Sequence, residues 1–134
     1  MTNYARFKAN GKVSYGVVEG DTITKITGSP FQSYSSTNES HTVSDVKLLS
    51  PTEPSKVVAI GLNYKSHLGG RPGPAAPEPF LKASTSVIGN GDEIIIPKAA
   101  IAEKVKIQPE AELAVVIGKE CKGATQANAL DFVF

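Results

Sequence analysis

Cysteine, long apolar runs and excess charge are all scarce in this sequence. Cys121 is the one cysteine, which excludes an internal disulfide and makes a reducing cytoplasm the default compartment. The longest apolar run, residues 113–117, is far too short to cross a bilayer. The first residues, MTNYARFK, lack the apolar core of a signal peptide. We therefore expect a cytoplasmic protein that does not enter a membrane.

The charge balance excludes another class of partner. The formal net charge is +1, and the lysines and arginines are scattered rather than grouped in a run or stripe, so nothing electrostatic indicates nucleic acid as a partner. The 12 glycines and 9 prolines indicate many turns. They are typical of a mainly β chain built from short strands with few short helices.

The N-terminal third has the pattern of a small antiparallel sheet. Short β-rich runs in residues 4–28 are joined by ANGK and EGD, whose Asn-Gly and Gly-Asp pairs accept the backbone of tight hairpin turns. Residues 29–45 are polar and rich in serine and threonine, which indicates a loop, a linker or a short helix. With an exit strand near residues 46–49, we predict a small β domain over 1–50 and a second domain over 51–134.

The second domain begins with an apolar run over 57–61. This run predicts a buried strand that delivers Asn63, Tyr64 and His67 at its carboxyl end. The loop that follows, 68–79, has three glycines and four prolines in twelve residues and cannot form regular structure. Further strands are predicted at 80–84, on both sides of a turn at 90–92 and along 105–117, with a helix starting near Thr125. The sequence stops at Phe134 inside an apolar pattern, so we expect a longer or split parent protein.

Two glutamates lie in the predicted strand 105–117. Glu110 and Glu112 are two residues apart and would share a face of a strand. Two like charges this close repel each other, so a cation between them is one interpretation, and oxygen ligands suit Mg²⁺ or Mn²⁺, with Ca²⁺ as a further candidate. The alternative is a solvent-facing pair, or one neutralised by Lys104 and Lys106.

Two further segments carry residues with chemistry. In GLNYKSHL, Tyr64 and His67 are three apart and would share a face in a helical turn, where His67 could act as a general acid or base. In PFLKASTS, a partly buried Lys82 could hold a substrate carboxylate or enolate, with Ser84 beside it. The alternatives are a hydrogen-bonded loop histidine and a lysine whose stem covers the core while its ammonium reaches water.

Taken together, the segments KVVAIGLNYKSHL, PEPFLKAS, GDEIIIP and PEAELAVVIGKECKGATQANALDFV resemble the fumarylacetoacetate hydrolase family in order and spacing. The similarity covers roughly residues 52–134, and residues 1–50 resemble the small β domain that precedes the catalytic domain in bacterial-type members. The resemblance implies a mixed β-sandwich roll, incomplete in this sequence, a homodimer, and bound Mg²⁺ or Mn²⁺.

The resemblance also assigns residues. It implies that Glu110 and Glu112 bind the metal, that His67 activates water or moves a proton, and that Lys82 holds substrate oxygens. Asn63, Tyr64 and Ser84 would line the substrate site.

The sequence departs from the family pattern at two places. The third metal carboxylate, an aspartate, belongs to a segment that would follow Phe134, and Asp131 does not replace it. The glutamate that partners the histidine in several members is replaced by Gly70, so that Glu78 is a candidate substitute.

The expected function is hydrolysis, lyase chemistry, decarboxylation or isomerisation of a small keto or diketo acid through a metal-stabilised enolate. The fragment alone would be inactive. The alternative is a structural or partner-binding module without a complete metal site, which could join the missing C-terminal segment.

Overall fold

The computed structural model describes residues 2–134, which form β-strands joined by turns and a few short helices. The fold is mainly β, as the sequence predicts. The strands are β1 (Asn3–Ala9), β2 (Lys12–Glu19), β3 (Thr22–Gly28), β4 (Tyr34–Thr42), β5 (Lys47–Leu48), β6 (Val57–Gly61) and β7 (Glu78–Lys82), and the α-helices are α1 (Lys65–Leu68) and α2 (Lys98–Ala102). Single 3-10 turns lie at Val43–Asp45, Ser84–Ser86 and Ala129–Phe132.

The first five strands form one antiparallel sheet in the order β4-β3-β2-β1-β5. The predicted hairpins are present because their turn residues take up the required backbone. Asn10 and Gly11 have φ values of 49° and 77°, which matches the left-handed pair of a two-residue hairpin turn. Gly20 occupies the next turn with φ of 57°.

The buried apolar side chains of the described residues lie on both faces of this sheet: the register places Phe7 and Ile23 on one face and Ile26, opposite Tyr15, on the other. Phe7 is 1% exposed, Ile23 0% and Ile26 4%. Gly16 makes room for two of these side chains, because a Cβ there would lie 2.4 Å from Ile23 Cγ2 and 3.2 Å from Phe7 Cε1. The sheet therefore depends on a small number of large apolar side chains packed over a glycine.

The loop predicted over 29–45 is wrong for most of its length. Residues 34–42 form β4, which pairs with β3 and shows a register shift opposite Thr24 and Ile26. At this irregularity the Thr37 hydroxyl donates to the Lys25 carbonyl over 2.9 Å. Backbone pairing with β3 thus orders a segment whose polar composition is typical of loops.

The second part of the chain begins with the β6–β7 pair. These strands are antiparallel, with Val57 opposite Lys82 and Gly61 opposite Glu78. The buried strand predicted over 57–61 is present as β6, although its residues are only half-buried or exposed. The Pro- and Gly-rich loop connects α1 to β7, and α1 ends at Gly69 with φ of 56°, a common helix terminus.

The strands predicted around the 90–92 turn and along 105–117 are wrong. The described structure has a turn at residues 90–91 but no strand on either side, and residues 105–116 have no strand pairing. The helix predicted near Thr125 is reduced to the 3-10 turn Ala129–Phe132. Before it, the Thr125 amide and hydroxyl donate to Asn128 Oδ1. One antiparallel bridge joins Ile117 to Val133.

An ion pair links the N-terminal sheet to the second part. Lys47 belongs to the edge strand β5, and its Nζ lies 2.7 Å from Asp92 Oδ1. The Gly89 amide donates to Asp92 Oδ2 over 2.8 Å. The Lys47 ammonium, followed by the Gly89 amide, lowers the pKa of Asp92 below its usual 3.8, because both stabilise the ionised carboxylate.

This ion pair predicts a measurable acid dependence. Since the pKa of Asp92 is lower in the folded than in the unfolded chain, its contribution to stability is present above the unfolded pKa and is lost as the pH falls through the folded value. We expect Asp92→Asn to lower the denaturant midpoint at pH 7, and the difference from the parent to shrink below pH of about 4. Chemical denaturation followed by circular dichroism measures this, with Asp131→Asn as control. A difference that stays constant down to pH 2 would contradict the assignment.

Candidate metal and acid–base site

Three of the predicted site residues follow β6: Asn63 and Tyr64 in the turn before α1, and His67 within α1. Leu62 precedes them with a φ of 52°, a left-handed conformation that costs a residue with a Cβ about 1–2 kcal/mol. Strained backbone of this kind is found at binding and catalytic sites. The turn then closes with the His67 amide donating to the Tyr64 carbonyl over 2.9 Å, so that Tyr64 and His67 lie on one helical turn as predicted.

The structure brings His67 next to Glu110. His67 Nδ1 lies 3.5 Å from Glu110 Oε1, and the two side chains are 37% and 52% exposed. This separation is too long for a strong hydrogen bond, and an exposed pair of this kind adds little to stability. The contact therefore matters for where it places an imidazole and a carboxylate.

A hydrogen bond fixes the chain beside Glu112. The Leu113 amide donates to Tyr64 Oη over 2.8 Å, although the two residues are 49 apart in sequence. Tyr64 thus has a defined role in holding the glutamate-bearing segment against α1. The Leu113 hydrogen bond places this segment beside the Tyr64–His67 turn, where Glu110 also contacts His67, and Glu112 lies between Glu110 and Leu113 in sequence.

The carboxylates are placed without the predicted strand. Residues 110 and 112 are exposed and lie in chain with no strand pairing, so the argument from alternating faces does not apply. Over residues 2–134, no group of three or more histidine, cysteine, aspartate or glutamate side chains is arranged to hold a metal ion. By their donor chemistry, the two carboxylates are suited to form part of the ligand set of a hard divalent cation.

Asn63 lines a cavity beside this turn. The cavity measures about 300 Å³, and its wall includes Asn63, Lys65, Leu68 and the loop residues 73–77. Glu78, the candidate substitute for the glutamate that partners the histidine, begins β7 opposite Gly61. In the structure His67 contacts the carboxylate of Glu110 instead. Gly70 has φ of 83°, a conformation that a side chain at this position would strain.

Lys82 and Ser84 lie elsewhere in the second part. Lys82 pairs with Val57 at the start of β6, four residues or roughly 13 Å along the strand from Gly61, and its ammonium lies 5.8 Å from the centre of the Phe80 ring. Ser84 lines a different cavity of about 300 Å³ with Arg6, Thr52 and Glu53. The structure therefore groups His67, Tyr64 and Glu110 but not Lys82 or Ser84 with them.

Sequence reasoning missed the contacts between distant segments. Neither the His67–Glu110 contact nor the Tyr64–Leu113 hydrogen bond follows from residue spacing, because 43 and 49 positions separate the partners.

No helix in the described part of the chain is long and apolar enough to traverse a bilayer.

Two family descriptions match the chain. Residues 3–51 match the description "Rv2993c-like, N-terminal", and residues 56–134 match "Fumarylacetoacetate (FAA) hydrolase C-terminal".

Individual proteins show the same similarity. An uncharacterised protein of Archaeoglobus fulgidus is 38% identical over 130 residues, which are 96% of this chain and 47% of that protein. The mitochondrial oxaloacetate tautomerase fahd2 of Xenopus laevis is 40% identical over 93 residues, or 67% of this chain and 28% of that protein.

A solved structure extends the similarity to the fold. The crystal structure of 2-hydroxyhepta-2,4-diene-1,7-dioate isomerase from Mycobacterium marinum superposes with a TM-score of 0.79 at 31% identity, over 99% of this chain and 51% of that one. The chain thus spans about half of the isomerase and of the archaeal relative.

Proposed function

Because the chain belongs to the fumarylacetoacetate hydrolase family, we propose that its full-length protein is a metal-dependent enzyme acting on a small keto or diketo acid. Similar proteins bear the names isomerase and tautomerase. The name oxaloacetate tautomerase describes the interconversion of a keto acid and its enol, which moves a proton beside a carbonyl. The observation that carries the proposal is the contact between His67 and Glu110, which puts a proton-transfer group beside a candidate metal carboxylate.

The residues of this chain would divide the work as follows. Glu110 and Glu112 would hold Mg²⁺ or Mn²⁺, with Ca²⁺ as a further candidate, and the ion would supply Lewis-acid stabilisation of enolate charge. His67 would take or return the proton. Tyr64 would keep the glutamate segment in place through the Leu113 amide.

Asn63 would contact the substrate at the cavity beside α1. Lys82 and Ser84, assigned to substrate oxygens by the family resemblance, would have to reach the same substrate from the far end of β7. We propose a homodimer as the assembly of the full-length protein.

Calorimetric titration of the full-length protein with Mn²⁺ tests the metal site. We expect saturable binding in the parent and a loss of affinity of at least about tenfold in Glu110→Gln and in Glu112→Gln, because supporting residues around metal sites already contribute that much. Each substitution removes a negative oxygen ligand and keeps the side-chain size.

Glu120→Gln is the matched control, since Glu120 is an exposed carboxylate of the same C-terminal region outside the proposed site. Absence of Mn²⁺ and Mg²⁺ binding in the parent, or equal affinity in Glu110→Gln, would overturn the proposal.

A second candidate function is a partner-binding module without catalysis. The observation that favours it is the number of large apolar side chains exposed in the second part, among them Ile94 at 80%, Ile95 at 84% and Leu113 at 84%. Exposed apolar groups in such numbers mark surfaces that are covered by other protein. A partner-binding module would use these side chains to bind its partner, whereas in the proposed enzyme the C-terminal segment of the family fold would cover them. The Mn²⁺ titration decides between the two functions.

A further inference from the structure

The ring of Phe134 lies in a cluster of aromatic side chains from the N-terminal sheet. Its centre is 4.6 Å from that of Phe31 and 5.5 Å from that of Tyr4. Tyr4 packs edge-on against Tyr34 at 5.7 Å, and the two hydroxyls share a hydrogen bond of 3.0 Å. These distances are typical of favourable aromatic pairs. We call Tyr4, Phe31 and Tyr34 the aromatic socket.

The backbone at Phe134 is tied to the end of the glutamate-bearing segment. The Phe134 amide donates to the Val116 carbonyl over 2.9 Å, and the Gly118 amide donates to the Phe132 carbonyl over 2.8 Å. A Cβ at Gly118 would lie 2.9 Å from Phe134 Cβ, so glycine permits this close approach. The position of residues 116–118 therefore depends on the position of Phe134, to which they are hydrogen-bonded.

The glutamate-bearing segment is thus held at two ends. Near its start, Glu110 contacts His67 and the Leu113 amide bonds to Tyr64. At its end, the pairing with residues 132–134 attaches it to the aromatic socket. Residues 105–116 have no strand pairing, so these two attachments fix the segment where a sheet ladder would otherwise do so.

We propose that the N-terminal domain positions the proposed metal-binding glutamates through Phe134, whose ring, 48% exposed, packs against the aromatic socket. Phe134 is a positioning residue in this view, acting on Glu110 and Glu112 through residues 116–118. The proposal rests on the proposed metal site for its functional consequence. Its structural part, the immobilisation of residues 110–118, stands independently of any metal.

The test uses Phe134→Ala and Phe31→Ala in the full-length protein. We expect each to weaken Mn²⁺ affinity about tenfold, the scale seen when supporting residues around a metal are lost, with the circular dichroism spectrum unchanged. Phe134→Tyr should restore affinity because the ring is kept. Leu130→Ala is the control, since Leu130 is 83% exposed on the neighbouring 3-10 turn.

Hydrogen exchange without metal separates this proposal from that of the metal site. In Phe134→Ala the amides of Leu113 and Gly118 should exchange at least about tenfold faster, since local opening sets their protection. Unchanged exchange at both amides would overturn the inference even if the parent binds Mn²⁺. Faster exchange in a protein that binds no metal would leave the anchoring intact and refute only the metal site. Unchanged Mn²⁺ affinity in Phe134→Ala, with a parent that binds Mn²⁺, would refute the positioning role.

Discussion

If the full-length protein has the proposed activity, exchange of His67 for glutamine is expected to lower its kcat by about 10²–10⁴-fold, the range by which a positioned acid–base group accelerates a reaction. Glutamine can hydrogen-bond with a neighbouring carboxylate but cannot accept a proton near neutral pH. The imidazole lies on the Tyr64–His67 turn with Nδ1 3.5 Å from Glu110 Oε1. The variant should therefore keep its Mn²⁺ affinity within a few-fold and lose its rate.

The measurement is steady-state turnover of a keto-acid substrate together with Mn²⁺ titration. His41→Gln is the matched control, because His41 belongs to β4 in the N-terminal sheet and pairs with Glu39. A kcat within threefold of the parent would show that His67 does not carry the proton transfer. A parallel loss of Mn²⁺ affinity would show instead that the residue supports the metal site.

Exchange of Phe7 for alanine should destabilise the N-terminal sheet by about 3–5 kcal/mol, as is typical of a large aromatic side chain removed from a core. Phe7 is one of three core side chains below 5% exposure, and its ring lies over Gly16 beside Ile23. Little else in the sheet can close over the cavity that alanine would leave. For a unit of this size, the loss approaches the whole free energy of unfolding.

Denaturant unfolding followed by circular dichroism measures the effect. Phe7→Leu should cost less, because it leaves a smaller cavity. Val13→Ala, at a position that is 50% exposed on the paired strand, should change the free energy of unfolding by no more than about 0.5 kcal/mol. A loss below about 1 kcal/mol in Phe7→Ala would contradict the importance of this core.

The parts of the fold that follow from sequence are those with local causes. The β1–β2 and β2–β3 hairpins were predictable because Asn10-Gly11 and Gly20 accept a backbone that few residues tolerate. By contrast, β4 is serine-rich and has no alternating apolar pattern. It exists because β3 offers a row of backbone partners, which no single-segment pattern reveals.

The strands that were predicted but did not form show that β-forming composition is not sufficient. Residues 94–96 and 113–117 have strong β-forming composition, yet a strand also needs a neighbour with which to exchange hydrogen bonds. Within residues 2–134, Ile117 forms one bridge with Val133 and the Val116 carbonyl accepts from the Phe134 amide, but neither run gains a ladder of paired residues. Composition indicated the preference of these residues but not the availability of a partner.

In the candidate site, too, the local arrangement was predictable from sequence and the long-range contacts were not. Tyr64 and His67 share a turn, which their spacing predicts. Their contacts with Glu110 and Leu113 depend on how the chain returns after more than forty residues, and spacing carries no information about that return. The roles of all the predicted site residues, including Glu112, Lys82 and Ser84, stay predictions from the family resemblance.

The outer edge of β4 has a consequence for handling the protein. Its backbone groups on that side have no strand partner in the part of the chain that the structure describes, and such edges can seed aggregation. The sequence of this strand, YSSTNESHT, offers no apolar row on which a second sheet could stack, and the bulge opposite Thr24 and Ile26 interrupts its regularity. Concentrated solutions should therefore resist fibril formation from this edge, and a Ser→Val series along β4 would remove that protection.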